Sequence, residues 1–172
     1  MRPAIAQTIT LIEAVVRGFG VVAAWVCVIL VLLVAGDVFA RYFFRTGAVW
    51  AQELQWHLMS PIALFGMSYA LLCGDQVRVD VLFDRFSPAI QRAIEMFGGV
   101  LMIAFGIFLV KVSLPWVEMS YLRNEGSPNP GGLPYRFILK AFIPLGFALL
   151  VLQGVAHVLR HAFAIHNKET QT

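Results

Sequence analysis

Residues 36 to 57, GDVFARYFFRTGAVWAQELQWH, concentrate reactive side chains that most of the chain lacks. Asp37, Arg41, Arg45, Glu53 and His57 stand among Phe39, Tyr42, Phe43, Phe44, Trp50 and Trp56. Asp37 and Arg41 are four apart, as are Glu53 and His57. If helices run through them, each pair shares one face and can interact without reaching elsewhere. The rings suit a membrane–water interface, where an aromatic body is buried and its polar tip stays wet. The stretch therefore reads either as the wet tip of a membrane hairpin or as a collar on which another protein docks.

Histidine offers a second chemistry. His57, at the start of one apolar run, and His157 or His161, at the end of another, are of the type that ligates haem between helices. Alternating spans place the two ends on opposite sides of the membrane, which favours histidines bonded to their own neighbours. A haem-binding four-helix membrane anchor of a redox complex stands as the alternative reading. No Walker loop, HExxH, GxSxG or CxxC occurs, so no catalytic residue, metal site or cofactor is assigned, and the chain is not read as an enzyme. No carboxylate sits at the centre of an apolar run, where a proton relay would need one.

The elements that position these residues follow from composition. Of 172 residues, 59% are hydrophobic and 13% charged, with a mean hydropathy of +0.77. Soluble chains carry about 25% charged residues, and a domain of this size has too little interior for so much apolar surface. The net charge of +3 is dispersed, with no basic block for nucleic acid or anionic lipid. Cys27 and Cys73 lie in apolar runs and read as buried thiols rather than a disulfide.

Uncharged stretches run from Gly18 to Gly36, Leu54 to Gly74, Met96 to Val110 and Ala141 to Leu159. A membrane crossing needs about 20 residues. Ser87-Pro88, an N-cap followed by proline at the first helical position, extends the third stretch backwards. Lys111 then snorkels near that helix's far end. The chain is expected to be one all-α membrane domain, 1–172, with spans at about 18–39, 54–74, 88–117 and 139–160. Outer loops cover 40–53 and 118–138, and a cytoplasmic link covers 75–87. The first apolar core is longer than a signal peptide's and reads as a span. Residues 3–16 and the link, with Leu82, Phe83 and Phe86, read as short amphipathic interfacial helices. Seven Lys and Arg on the terminal side against five on the other favour cytoplasmic termini. Gly66, Ala70 and Gly74 form a small-residue series on which another helix can pack, with Gly98 and Gly106, and Gly146 and Gly154, as similar flats.

The run D37-V-F-A-R41-Y-F-F, then W50-A-Q-E53-L, then G66-M-S-Y-A70-L-L-C-G74-D-Q-V-R-V-D80, resembles the small membrane subunit of tripartite ATP-independent periplasmic (TRAP) transporters, the DctQ type. PNPGGLPYRFILKAFIPLGFALLVLQG, from Pro128, resembles the same family's last loop and span. Two positions depart from the family's pattern: Gln52 where an acidic pair is common, and Gln76 where histidine is common. The resemblance implies a multi-pass protein of the bacterial inner membrane with four spans and cytoplasmic termini. It implies a scaffold for a large membrane subunit that holds the substrate and sodium sites, moves by an elevator motion and takes up an organic acid. A periplasmic substrate-binding protein delivers that acid, and membrane lipid covers the remainder. On this reading Arg41, Trp50 and Glu53 organise the first outer hairpin. Gly66, Ala70 and Gly74 pack against the large subunit, and Arg123, Asn129 and Arg136 are candidates for docking the binding protein.

Overall fold

A computed structural model describes residues 3–45, 47–75, 83 and 85–169. These form four long helices, α1 (Pro3–Phe44), α2 (Val49–Cys73), α3 (Pro88–Leu122) and α4 (Arg136–Glu169), with no strand among the described residues. All four are long and apolar enough to cross a membrane. Ser87 Oγ accepts from the Ile90 amide and Pro88 opens the first turn of α3, the start expected of that dipeptide. The Gln91 side chain also donates to the carbonyls of Phe83 and Phe86, fastening the preceding link to the helix. Most of the link that reads as amphipathic, including Leu82, and Gln76 with it, lie outside the described residues.

The N-terminal segment departs from expectation. Residues 3–16 are not a separate interfacial helix but the first turns of α1, a helix of 42 residues. At 1.5 Å per residue it is ~63 Å long, more than the ~45 Å of a bilayer with its headgroups. No glycine or proline interrupts it between Ala4 and Arg17. Ile9, Val16 and Ala23, seven residues apart, are all buried, so one stripe continues from the extension into the span. A seven-residue repeat keeps one face of a gently supercoiled helix on its neighbours. Glu13 pairs with Arg160 of α4 at the same end.

α4 is the central helix. α3 packs along it, α2 packs beside it, and α1 rests mainly on α2 with a smaller contact to α4. Phe65, 3% exposed, joins three helices at mid-height. Its ring meets Phe19 of α1 edge-on at 5.0 Å and Phe142 of α4 at 5.9 Å, a geometry that aligns a positive ring edge with a negative face.

The α3–α4 contact is built from absent side chains. The buried residues of α3 are Gly99, Gly106, Ser113 and Ser120, again seven apart. A Cβ at Gly106 would lie 2.6 Å from Val151 Cγ2, and one at Gly99 2.6 Å from Val158 Cγ2. The same repeat therefore appears on both antiparallel partners. Gly98, in the spacing read from sequence, faces open space; its neighbour Gly99 carries the contact. Gly146 and Gly154 are used as flats, against Leu64 of α2 and Ile103 of α3. Cys27 and Cys73 are free thiols but exposed on the outer face rather than buried.

Gly106→Leu should separate α3 from α4 and destabilise the chain by about 1–3 kcal/mol, the usual cost of overpacking. Gly98→Leu should be nearly silent. Unfolding of the two variants in detergent compares them directly, and equal losses would place the contact elsewhere on α3.

Candidate functional site

The loops joining α1 to α2 and α3 to α4 meet at one end of the bundle, and Glu53 is where they join. One and a half turns into α2, its carboxylate projects towards the loop NEGSPNPGGLP, residues 124–134. Oε1 accepts from Ser127 Oγ and, at 3.0 Å, from Asn129 Nδ2. Oε2 accepts from the Leu133 amide at 2.7 Å. These donors lie 74 to 80 residues away in sequence, so the carboxylate closes a large chain loop rather than a local turn.

The receiving loop is shaped for the purpose. Ser127 N donates to the Leu133 carbonyl and Gly132 N to the Asn129 carbonyl, curling the segment around the acceptor. Ser127 Oγ itself accepts from the Asn129 amide while donating to Glu53. Gly131 has φ +77°, and a Cβ on Gly132 would stand 2.7 Å from Glu53 Oε2. The Gly-Gly pair thus supplies one left-handed turn and one close approach that a side chain would block.

Glu53 lies at the loop end of α2, before the uncharged stretch 54–74. The bonds from Ser127, Leu133 and Asn129, with the charge of Arg136, hold its carboxyl at about 2 against an ordinary 4.5, although partial burial works the other way. A second carboxylate closes the loop from the α3 side. Glu125 Oε2 accepts from Ser120 Oγ at 2.8 Å and pairs with Lys140 Nζ of α4. Lys140 also lies over the Trp116 ring, 5.1 Å from its centroid. Lys140, then Ser120, lowers the Glu125 carboxyl below its usual range. Arg136 N donates to the Glu125 carbonyl at 2.9 Å, starting α4 from the same turn.

The first hairpin has its own network. Asp37 Oδ2 accepts from Arg41 Nη2 at 2.6 Å and from Gln55 Nε2 at 3.3 Å. With the Gln52 amide turned so that its oxygen faces the guanidinium, it accepts from Arg41 Nη1 at 3.0 Å. The departure at Gln52 therefore sits on Arg41. Trp50 is half exposed and borders a cavity shared with Asp37 and Ala48. The chain turns through Arg45, at φ +52°.

The structure redistributes the residues singled out from sequence. Glu53 does not pair its carboxylate with His57: His57 Nδ1 lies 2.7 Å from the Glu53 backbone carbonyl. A carbonyl only accepts, so Nδ1 carries the proton. Asn129 spends its amide on Glu53, and Arg136 faces both acids, so neither stands free of the loop's own bonding. Arg123 is exposed at the end of α3. Gly66 and Ala70 are half-buried, with nothing in the chain within 4 Å of a Cβ at Gly66. Gly74 caps α2 instead: at φ +79°, it donates to Leu71 O while Asp75 donates to Ala70 O. This is a Schellman ending.

The histidines are not brought together for haem. His57 shares a groove with Ile138, and His157 lies 19 residues further along α4, ~28 Å away. Sequence reading missed Ser127, Gly132, Glu125 and Lys140. A Ser and an Asn among prolines and glycines signal a turn, but not that its donors converge on a carboxylate.

The family model for tripartite ATP-independent periplasmic transporters, DctQ component, matches residues 30–164. A C4-dicarboxylate TRAP transporter small permease protein DctQ from Pseudomonas aeruginosa is 24% identical over 127 residues, 70% of this chain and 59% of that protein. The match thus spans about three-fifths of the relative's length. The chain belongs to the DctQ component family. With four apolar helices it is a multi-pass protein of the bacterial inner membrane.

A folded-state pKa below the unfolded one stabilises the loop fully above about pH 4.5, and that contribution is lost as pH falls towards 2. The protection of the Leu133 amide, its exchange rate measured against the intrinsic rate at each pH, should fall over that interval. Glu53→Gln should already exchange at least about tenfold faster at neutral pH, because charge-assisted bonds are roughly twice as strong as neutral ones. A wild-type amide equally protected at pH 2.5 would show that Glu53 does not hold the loop.

Proposed function

We propose that this DctQ-family chain is the small scaffold subunit of a sodium-coupled, binding-protein-dependent transporter that takes up an organic acid. The relative's own name specifies C4-dicarboxylates, which supports a small carboxylate as the substrate. The substrate and sodium sites are assigned to the large membrane subunit, and the role of this chain is to enlarge the static frame against which that subunit moves. The termini are cytoplasmic and the Glu53 loop faces the periplasm.

The observation that carries this reading is the joining of both outer loops through one carboxylate. It makes the outward end a fixed platform, as a static frame and a docking face require. The bundle also leaves much of its apolar surface outside. In the most apolar window of each helix only 11% to 33% of residues are buried within the chain, leaving faces for lipid and for a larger membrane partner. Gly66 and Ala70 offer such a partner a close approach. Arg41 and Trp50 anchor the first hairpin at the interface. Of the three residues proposed to meet the binding protein, Arg123 reaches outward, while Asn129 and Arg136 set the loop's shape through Glu53 and Glu125.

Affinity purification of the C-terminally tagged chain from its own membrane should recover one larger hydrophobic protein. Gly66→Leu should lower that recovery several-fold while leaving the chain's own unfolding unchanged, since nothing within the chain fills the space there. Undiminished recovery would remove the α2 face from the interface. Arg123→Glu should leave assembly intact but reduce carboxylate uptake at limiting binding protein, with the deficit shrinking at high salt, where both forms lose the electrostatic contribution. Unchanged uptake would refute docking at Arg123.

A further inference from the structure

We propose that Glu95, His157 and His161 form a binding site for one divalent transition-metal ion of the zinc class, bridging α3 and α4 at the end of the bundle away from the loops. The inference stands independently of the transport reading. One ligating atom from each of the three residues lies within 4.8 Å of the others. His157 Nε2 is 3.0 Å from Glu95 Oε2, and both side chains are 13% exposed, so the pair is largely shielded from water.

The helix spacing builds the donor set. His157 and His161 are one turn apart on α4, with ring centroids 4.4 Å apart. His161 Nδ1 donates to the His157 backbone carbonyl at 2.9 Å, which places the proton on Nδ1 and leaves Nε2 as the free lone pair. A metal-bound imidazole commonly has this arrangement, its second nitrogen fixed by a carbonyl. Glu95 comes from α3, and Gly99, one turn on, lets α4 approach: a Cβ there would lie 3.4 Å from His157 Cδ2. The glycine that seats α3 on α4 therefore also brings the carboxylate to the imidazole.

Two imidazoles and a carboxylate suit zinc and its neighbours rather than calcium or magnesium, which take all-oxygen shells. Zinc bonds of about 2.0–2.2 Å put tetrahedral ligands roughly 3.4 Å apart. Glu95 and His157 are already that close, and the His161 ligand atom lies within 4.8 Å of both. Three protein ligands leave a fourth position for water. The adjacent cation, Arg160, is paired with Glu13, which reduces its repulsion of a bound metal. Because the imidazoles bind unprotonated, metal affinity falls as pH is lowered.

The test uses the full chain, purified in mild detergent without a polyhistidine tag, stripped with chelator and titrated with Co2+. One equivalent should bind, with a visible ligand-field band that Zn2+ abolishes by displacement. Glu95→Gln and His161→Ala should each weaken binding more than about tenfold, a loss that removing an outer-shell partner alone can cause. His57→Ala should bind as the parent does. His161→Cys should keep a site and add a thiolate-to-cobalt charge-transfer band, a gained signal that a misfolded variant would not give. The absence of saturable binding, survival of binding in both ligand variants, or a cysteine variant without the new band would each overturn the site. Glu95 and His157 would then form only an ion pair, with His161 a neighbour.

Discussion

Lipid tails are as apolar as leucine, so a membrane helix gains little by exchanging hydrocarbon for a protein neighbour. What holds α3 to α4 is proximity. With Gly99 and Gly106 facing Val158 and Val151, the two backbones come close enough for dispersion along their whole length. Much of the remaining structure depends on this contact. It fixes the axial register of α3 on α4, and the register sets both the turn between them and the polar clusters at each end. Displacing either helix by one turn, ~5.4 Å, would break the Ser120–Glu125–Lys140 set at one end and the Glu95–His157 pair at the other. The seven-residue repeat spreads the same constraint from Gly99 to Ser120, so no single residue holds the register alone.

The ion pairs among the described residues lie towards the helix ends for the complementary reason. An unpaired charge in hydrocarbon is costly, whereas at the headgroup level a carboxylate with several donors is affordable. Glu53 and Glu125 each collect two or more donors there. Between them they join α2, α3 and α4 through the loop, while Phe65 joins α1, α2 and α4 at mid-height. The two devices differ in reach. Phe65 works through contact between adjacent helices, and Glu53 through a segment 74 to 80 residues away. α1 is tied to the rest by Asp37–Gln55 near its C-terminal end and by Glu13–Arg160 nearer its N-terminal end. It is thereby fixed at both levels, although it touches α4 only slightly.

Much of this was legible in the sequence, and the remainder was hidden for identifiable reasons. Gaps between charges locate four spans because a charge in hydrocarbon is costly, and Ser87-Pro88 marks a helix start because both residues act locally. The continuity of α1 was obscured by its amphipathic first turns: Ile9 and Val16 suit a lipid surface as well as they suit a helix face. The choice of Gly98 over Gly99 came from pairing it with Gly106 at eight residues. The observed period is seven, and only a partner helix can select between the two. Asp37–Arg41 was readable as an i,i+4 pair. Glu53 and His57 also meet at that spacing, but through the Glu53 backbone carbonyl, because a rule about local spacing is blind to a loop that supplies three donors to the carboxylate from the other half of the chain.

The two ends of the α3–α4 pair carry different kinds of polar chemistry, and the difference follows from the donors available. At the loop end the partners are hydroxyl, amide, backbone N–H, lysine and arginine, none of which changes charge near neutral pH. A carboxylate held at about 2 among them keeps its charge throughout that range. At the opposite end Glu95 meets the imidazole of His157 instead. The glycine contact couples the two ends mechanically, since α3 cannot shift at one without shifting at the other.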